Sequence, residues 1–222
     1  MVVVNTKGLD SIENVSKTGI AAGAGVSLKA LAVSAYERGL SGLEFAHGIP
    51  GTLGGAVYMN AGAYGCEMKD VVKLTNAIHH KTGEFAAEGA ELGFSYRRSR
   101  FMDSGDTVTS AVLELRKGDK DSIKAKMDEM AGLRQNCQPL DMPSAGSVFK
   151  RPKSGYSGAF IEQAGLKGYA IGGAQVSEKH AGFIINRGNA TFSDVMTVIC
   201  HVQEEVFRQF GIELEPEIKI VC

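Results

Sequence analysis

Residues 48–65 read GIPGTLGGAVYMNAGAYG, and six of these eighteen residues are glycine. A glycine inside a regular element costs about 0.5–1 kcal/mol relative to alanine, because its backbone has more freedom to lose on folding. Tight turns, or close approach of the backbone to a ligand, are the usual reasons for accepting that cost. We therefore expect this segment to turn sharply or to lie against a bound molecule.

The composition is that of an ordinary globular protein. Of 222 residues, 44% are hydrophobic and 22% are charged, which suits one large domain or two small ones. The 24 basic and 25 acidic side chains nearly cancel, so we expect no nucleic-acid partner. The apolar runs are too short to span a bilayer, so we expect no membrane partner. The scattered cysteines predict free thiols in a reducing cytoplasm and no metal site: Cys66, Cys137, Cys200 and Cys222.

Strand-like and helix-like patterns occur in mixed order, which indicates an α+β fold. Strands are predicted at 2–5, 17–26, 71–80, 83–88, 107–118 and 215–222, and helices at 27–40, 119–136 and 193–210. The expected N-caps are Ser27 and Ser193, and Gly39 is the expected end of the first helix. Three prolines predict irregular or short-stranded backbone over 138–152.

Short motifs alone do not define the chemistry. No Gly-Lys-Ser/Thr follows the glycine-rich stretch, so it is not a P-loop. The sequence also lacks HExxH and GxSxG motifs. Motif reasoning therefore predicts only that something flat or phosphorylated binds against a glycine-rich backbone.

Six blocks in fixed order carry a more specific signal. They are GLEFAHGIPGTLGGAVYMNAGAYG (42–65), FSYRRSRF (94–101), PSAGSVFKRP (143–152), GLKGYAIGGAQVSEKHAGFIIN (165–186), GNATFSDV (188–195) and LEPEIKI (214–220). Together they resemble the UDP-N-acetylenolpyruvoylglucosamine reductase family, and the compact form of 94–152 resembles its shorter subtype.

The resemblance implies a FAD-binding domain of the PCMH/vanillyl-alcohol-oxidase type, represented by its second lobe only, plus a smaller α/β substrate-binding domain. The implied boundaries are 1–136 for the FAD lobe, 137–212 for the substrate domain, and 213–222 for a C-terminal strand returning to the FAD domain and active site. Family members also carry an N-terminal lobe with a Gly-x-Gly-Ser-Asn loop for the FAD pyrophosphate. A chain without that lobe is expected to bind FAD weakly.

The resemblance also implies a reaction. NADPH reduces FAD, and the reduced flavin reduces UDP-N-acetylglucosamine enolpyruvate to UDP-N-acetylmuramate, a cytoplasmic step of peptidoglycan precursor synthesis. The alternative is a flavin-poor, inactive chain that only binds a UDP-sugar or assembles with a partner. The oligomeric state is not predicted.

Three residues match the catalytic set of the family. Ser147 corresponds to the proton donor, Arg97 to the arginine that engages the enolpyruvyl carboxylate, and Glu217 to a carboxylate that stabilises the enolic intermediate. In isolation, Ser147 also fits a turn serine, and the cluster around Arg97 also fits a basic turn. Periodicity alone does not choose between Glu215 and Glu217, because residues two apart in a strand face the same side.

Further positions are implied by the same match. Cofactor-binding positions are Gly48, Ile49, Pro50, Gly51, Thr52, Gly54, Gly55, Ala56, Asn60, Ala61 and Gly62. Substrate-binding positions are Tyr96, Lys150, Arg151 and His180. A plain buried or surface histidine remains equally open for His180, and a core aromatic remains open for Tyr96.

Overall fold

The computed structural model describes residues 5–220 and contains two compact units, which divide between Gly132 and Leu133. The strand predicted at 2–5 lies almost wholly outside the described residues, as does Cys222. Each unit has its own buried core.

The first unit is built on an antiparallel sheet in the strand order β1-β2-β8-β6-β7. Its described strands are β1 Ile12–Asn14, β2 Gly19–Gly23, β3 Leu40–Ser41, β4 Gly62–Ala63, β5 Cys66–Glu67, β6 Val72–His79, β7 Gly83–Glu88, β8 Thr107–Glu114 and β9 Arg116–Lys117. The helices that begin in this unit are α1 Leu28–Glu37, α2 Leu53–Met59, α3 Arg100–Ser104 and α4 Lys120–Cys137. Short 3₁₀ turns cover Glu44–Ala46, Met68–Asp70 and Gly89–Leu92.

The strands at the centre of this sheet follow the predicted pattern. Val108, Ala111 and Leu113 of β8 are buried on alternate positions, apart from one irregular step. The partner β6 pairs antiparallel with both β7 and β8. The strands predicted at 71–80, 83–88 and 107–118 are therefore confirmed, because alternation of apolar residues matches a half-buried strand.

Helix α1 has both of its predicted ends. The Ser27 hydroxyl accepts a hydrogen bond from the Ala30 N–H at 3.1 Å, so Ser27 is the N-cap. Leu28 and Leu31 are buried on the inner face. Gly39 has φ +66, a left-handed conformation that glycine adopts without steric cost and that stops the helix.

The second unit has a smaller antiparallel sheet in the order β10-β13-β12-β11. Its strands are β10 Ser144–Ser147, β11 Ala170–Ile171, β12 Ala174–Val176 and β13 Phe183–Asn186, and its helices are α5 Ser157–Gln163 and α6 Phe192–Phe210. The short strand β10 agrees with the prediction for 138–152.

Helix α6 confirms the predicted helix, but its predicted N-cap is wrong. Thr191, not Ser193, is the cap: its hydroxyl accepts from the Asp194 N–H at 3.1 Å, while the Asp194 carboxylate accepts from the Thr191 N–H at 2.9 Å. This reciprocal box satisfies two N–H groups at once, which a cap at Ser193 would not. The helix buries Val198 and Val202.

The predicted strand at 215–222 is wrong for its described part. Residues 215–220 form one isolated bridge, between Pro216 and Phe149. The hydrogen bonds of this bridge run from the Lys150 N–H to the Glu215 carbonyl and from the Glu217 N–H to the Val148 carbonyl. On one side the next rung would need an N–H from residue 152, which is a proline, so pairing stops there.

Candidate active site

The glycine-rich stretch forms a helix that the sequence did not predict. Helix α2 begins after Thr52, buries Leu53 and Val57, and ends at Asn60 with φ +45. Its first turn lies against the end of β2, and the Gly54 N–H donates to the carbonyl of Ala24, the residue after that strand, at 2.9 Å. Two glycines within seven helical residues lower the intrinsic helix propensity, so packing rather than propensity stabilises this helix.

The glycines of this stretch fall into two classes. A Cβ on Gly54 would lie 2.8 Å from the Cβ of Ala24, and a Cβ on Gly62 would lie 2.4 Å from a backbone oxygen. Nothing lies within 4 Å of a Cβ on Gly51, and a Cβ on Gly55 would meet one hydroxyl at 3.9 Å. Internal packing therefore explains Gly54 and Gly62 but not Gly51 and Gly55.

The second class fits a flat cofactor. Pro50, Gly51 and Gly55 are exposed, and both glycines present bare backbone to open space. A ligand in close contact with backbone requires such positions. The other predicted cofactor residues differ in exposure: Gly48, Ile49, Thr52, Gly54, Ala61 and Gly62 are half-buried, and Ala56 and Asn60 are buried. The exposed part of this segment therefore presents backbone and small side chains rather than charged groups.

Arg97 occupies a strained position in a tight turn. The Arg98 N–H donates to the Ser95 carbonyl at 3.1 Å, and Arg97 itself has φ +53. Its Nη2 donates to the Gly62 carbonyl at 3.3 Å, and its Cζ lies 5.2 Å from the ring centroid of Tyr96. The structure thus brings Arg97 to the end of the glycine-rich stretch.

In the second unit, backbone pairing aligns three segments around Ser147. The Val148 N–H donates to the Gly182 carbonyl at 2.9 Å, and the Glu217 N–H donates to the Val148 carbonyl at 2.7 Å. The Ser147 hydroxyl is at 3.4 Å from the Phe149 carbonyl, the long limit of a hydrogen bond. Ser147 and Glu217 are therefore near neighbours across adjacent segments.

The two glutamates near the C-terminus have different surroundings. Glu215 forms an ion pair with the ammonium group of Lys150, and its side chain is 70% exposed. Glu217 is half-buried. The guanidinium Cζ of Arg151 stacks 4.0 Å from the ring centroid of Tyr156, an aromatic that the sequence analysis did not single out. Lys150 and Arg151 thus follow Ser147 closely, but each is engaged by a neighbour.

The His180 ring and the Ser147 hydroxyl both lie close to Gly182. Its Nδ1 accepts from the Gly182 N–H at 3.1 Å, so the neutral ring carries its proton on Nε2. Its ring meets Phe183 edge-on at 5.0 Å. Burial lowers the pKa of His180, with a smaller contribution from the charge of Lys167.

Gly182 is a candidate site residue that the sequence did not reveal. A Cβ there would lie 3.0 Å from the His180 ring and 3.5 Å from the Ser147 hydroxyl. Its only sequence signal is the small pair Ala181-Gly182 between a histidine and an apolar strand. Its bare backbone leaves room between the two side chains.

Among residues 5–220, no helix is both long enough and apolar enough to cross a membrane. Within the same residues, no three His, Cys, Asp or Glu side chains are arranged to hold a metal ion. Cys66, Cys137 and Cys200 are free thiols.

Two family models match this chain. Residues 138–221 match the C-terminal domain of UDP-N-acetylenolpyruvoylglucosamine reductase, and residues 1–86 match a FAD binding domain. A UDP-N-acetylenolpyruvoylglucosamine reductase of Caldanaerobacter subterraneus subsp. tengcongensis is 53% identical over 96% of this chain and 71% of its own length. The chain belongs to the UDP-N-acetylenolpyruvoylglucosamine reductase family.

Other members of the family agree. The reductase of Latilactobacillus sakei is 47% identical over 99% of this chain and 72% of its own length. A crystal structure of the reductase from Thermus caldophilus matches with a TM-score of 0.82 and 37% identity, covering 93% of this chain and 73% of that one. The predicted fold class is confirmed: an α+β chain with a FAD-binding domain and a second, smaller domain.

Proposed function

We propose that the protein reduces UDP-N-acetylglucosamine enolpyruvate to UDP-N-acetylmuramate with NADPH and FAD, in peptidoglycan precursor synthesis. The observation that carries the proposal is 53% identity, along 96% of the chain, to a relative named as this reductase. No comparison supports the alternative of an inactive UDP-sugar binder. FAD, when bound and reduced by NADPH, would supply the hydride for the enolpyruvyl double bond.

The proposed role of Arg97 is to hold the substrate carboxylate. A guanidinium donates two parallel hydrogen bonds to a carboxylate and stabilises negative charge that develops there during the reaction. The turn geometry supports this role, because a backbone with φ +53 costs an arginine stability and persists only where its surroundings fix it. The exposed ring of Tyr96, which lies against Arg97, is proposed to line the same substrate region.

The proposed role of Ser147 is to donate a proton to the carbon next to the hydride acceptor. A hydroxyl is a weak acid, but a carbanion-like centre is a strong base, so placement matters more than acidity. Support comes from the local packing: the hydroxyl makes one long hydrogen bond, and Gly182 leaves space beside it.

Glu217 is proposed to stabilise the enolic form of the substrate. Its backbone hydrogen bond to Val148 supports this role, because it fixes Glu217 next to the segment of Ser147. Glu215, by contrast, is mostly exposed and paired with Lys150. We propose Lys150 and Arg151 as contacts for the diphosphate of the nucleotide sugar, since both are cations close to Ser147.

We further propose a substrate contact for His180, a position along FAD for the glycine-rich segment, and a cytoplasmic location for the reaction. His180 is proposed to contact substrate through its Nε2–H, since its Nδ1 is engaged by the backbone. Residues 48–62 are proposed to lie along FAD, with Gly51 and Gly55 in closest approach. We place the reaction in the cytoplasm, which the free thiols support. We also propose domain boundaries at 1–136, 137–212 and 213–222.

Flavin spectroscopy tests this function. The full-length protein, purified and supplied with FAD, should be yellow, should bleach with NADPH without oxygen, and should regain its colour when the enolpyruvyl substrate is added. UDP-N-acetylglucosamine is the matched control, because it lacks the double bond and should leave the flavin reduced. A colourless protein that takes up no FAD, or recolouring by both compounds alike, would contradict the proposal.

A further inference from the structure

Asn60 connects the glycine-rich stretch to the turn that carries Arg97. Its side chain is fully buried. Its Nδ2 donates to the Ser95 carbonyl at 2.8 Å and to the Glu67 carboxylate at 2.9 Å, and its Oδ1 accepts from the Lys69 N–H at 2.9 Å. Both amide hydrogens and the carbonyl oxygen are therefore engaged within the protein, which gives this side chain a structural task.

The turn is tied at both ends to the C-terminal end of α2. Before Arg97, the Ser95 carbonyl accepts from Asn60 as well as from the turn itself. After Arg97, the Ser99 hydroxyl donates to the Tyr58 carbonyl at 2.7 Å, and Ser99 is fully buried. A buried hydrogen-bonded tether of this kind restricts the turn, because breaking it leaves a polar group unsatisfied.

These tethers account for the strained backbone of Arg97. The left-handed conformation costs an L-residue roughly 1–2 kcal/mol, which glycine would avoid. Such positions persist where the surroundings over-determine them, and they occur preferentially at functional sites. Here Asn60 and Ser99 fix the turn on either side, while the guanidinium reaches the Gly62 carbonyl.

We propose that Asn60 and Ser99 are positioning residues for Arg97, holding its guanidinium where it meets the substrate carboxylate. The inference rests on the proposed role of Arg97. It also assigns Asn60 a task other than side-chain contact with the cofactor. Because NADPH lacks the enolpyruvyl carboxylate, loosening this turn should affect one half of the reaction and not the other.

The two half-reactions separate a positioning role from a merely structural one. Asn60→Gly removes the amide but keeps the left-handed backbone accessible, and Ser99→Ala removes one hydroxyl. In rapid-mixing experiments, each variant should slow flavin reoxidation by substrate about 10–100-fold, and Ser99→Ala, which lies outside the segment proposed to contact FAD, should leave flavin reduction by NADPH unchanged. Ser34→Ala is the matched control. It also removes a buried, hydrogen-bonded hydroxyl, but from α1, and should change neither rate.

The same variants in an Arg97→Ala background complete the test. If Asn60 and Ser99 act through Arg97, they cause no further loss of reoxidation rate there. Two results would overturn the positioning roles of Asn60 and Ser99 without touching the proposed role of Arg97. One is equal slowing of both half-reactions. The other is a loss of reoxidation rate in the Arg97→Ala background as large as in the unmodified protein. An Arg97→Ala protein that is reoxidised at the normal rate would overturn the proposed role of Arg97 as well. If Asn60→Gly does not fold, Ser99→Ala decides the outcome.

Discussion

The glycine-rich stretch of the first unit and the segments around Ser147 in the second unit build their sites in opposite ways. Along 48–65, the important feature is what is missing: Gly51 and Gly55 present bare backbone, and the polar Asn60 is turned inward. Around Ser147, side chains are proposed to supply the chemistry, and backbone pairing from residues 182 and 217 brings their segments together.

This difference predicts which kind of substitution will impair each region. A region that works through bare backbone is sensitive to added atoms, and each glycine must be judged by what its new Cβ would meet. A region that works through side chains is sensitive to removed atoms, while its backbone hydrogen bonds survive most substitutions. Variants that add or remove a few atoms in one region, each compared with a variant at a nearby residue, test this difference.

The largest effect is expected at Ser147. Ser147→Ala removes the proposed proton donor and should slow reoxidation of the reduced flavin by substrate about 10²–10⁴-fold, because a positioned acid contributes that much. Flavin reduction by NADPH should be unchanged. Ser144→Ala, at the exposed start of the same strand β10, is the control and should behave as the unmodified protein. Equal loss in both half-reactions would refute the proton-donor role.

The two glutamates provide the next comparison. Glu217→Gln should lower the rate of substrate reduction about 100-fold, because it removes a charge proposed to act on the enolic intermediate. Glu215→Gln breaks an ion pair on a side chain that is 70% exposed, and should change the rate less than about fivefold. Steady-state kinetics with NADPH and substrate decide between them. The reverse order of effects would assign the role to Glu215.

Replacing the two adjacent glycines of α2 by alanine should change the stability of the fold in opposite directions. Gly54→Ala places a Cβ 2.8 Å from that of Ala24 and should destabilise the fold by about 1–3 kcal/mol through overpacking. Gly55→Ala adds its Cβ in nearly open space and should stabilise the helix by up to about 1 kcal/mol. Urea unfolding without FAD measures both. If Gly55 approaches FAD, its alanine variant should also bind FAD more weakly; equal stability changes would contradict the two-class division.

Sequence patterns predicted those elements that depend on interactions between residues close together in the chain. Helix α1 and strands β6 to β8 follow from apolar spacing and an N-cap next to the residues it serves. Helix α2 was missed because Gly54 makes the helix unfavourable on propensity and favourable only through its contact with β2, a tertiary effect. The cap of α6 was misplaced by two residues because two hydroxyl residues on either side of Phe192, Thr191 and Ser193, both suit that position.

The candidate site divides in the same manner. The family resemblance of their sequence blocks indicated Ser147 and Arg97, whereas the residues alone also fit a turn serine and a basic turn. The Asn60 network was invisible, since its bond to Ser95 joins residues 35 positions apart and depends on burial. Gly182 was missed for a similar reason: only the packed neighbours His180 and Ser147 reveal what its missing side chain permits.

The smallest effect concerns pH. Burial lowers the pKa of His180, so folding favours its neutral form. Its contribution to stability is complete above the unfolded pKa of about 6.5 and is lost as the pH falls through that value toward the folded pKa. Protonation also converts Nδ1 from acceptor to donor, which breaks its hydrogen bond with the Gly182 N–H. The free energy of unfolding should therefore decline below about pH 6.5, by less than about 1.4 kcal/mol per pH unit from this one group.

Unfolding in urea at pH values from about 5 to 8 measures that decline, and His180→Gln should reduce its slope. His47 offers the matched variant in the first unit, because burial, with a smaller effect of Lys29, lowers its pKa too. His47→Gln should remove the contribution of His47 to the pH dependence of the free energy of unfolding and leave the contribution of His180 unchanged. If His180→Gln leaves the slope unchanged, its ring is not held neutral by burial, and its place beside Gly182 must be stabilised by other contacts.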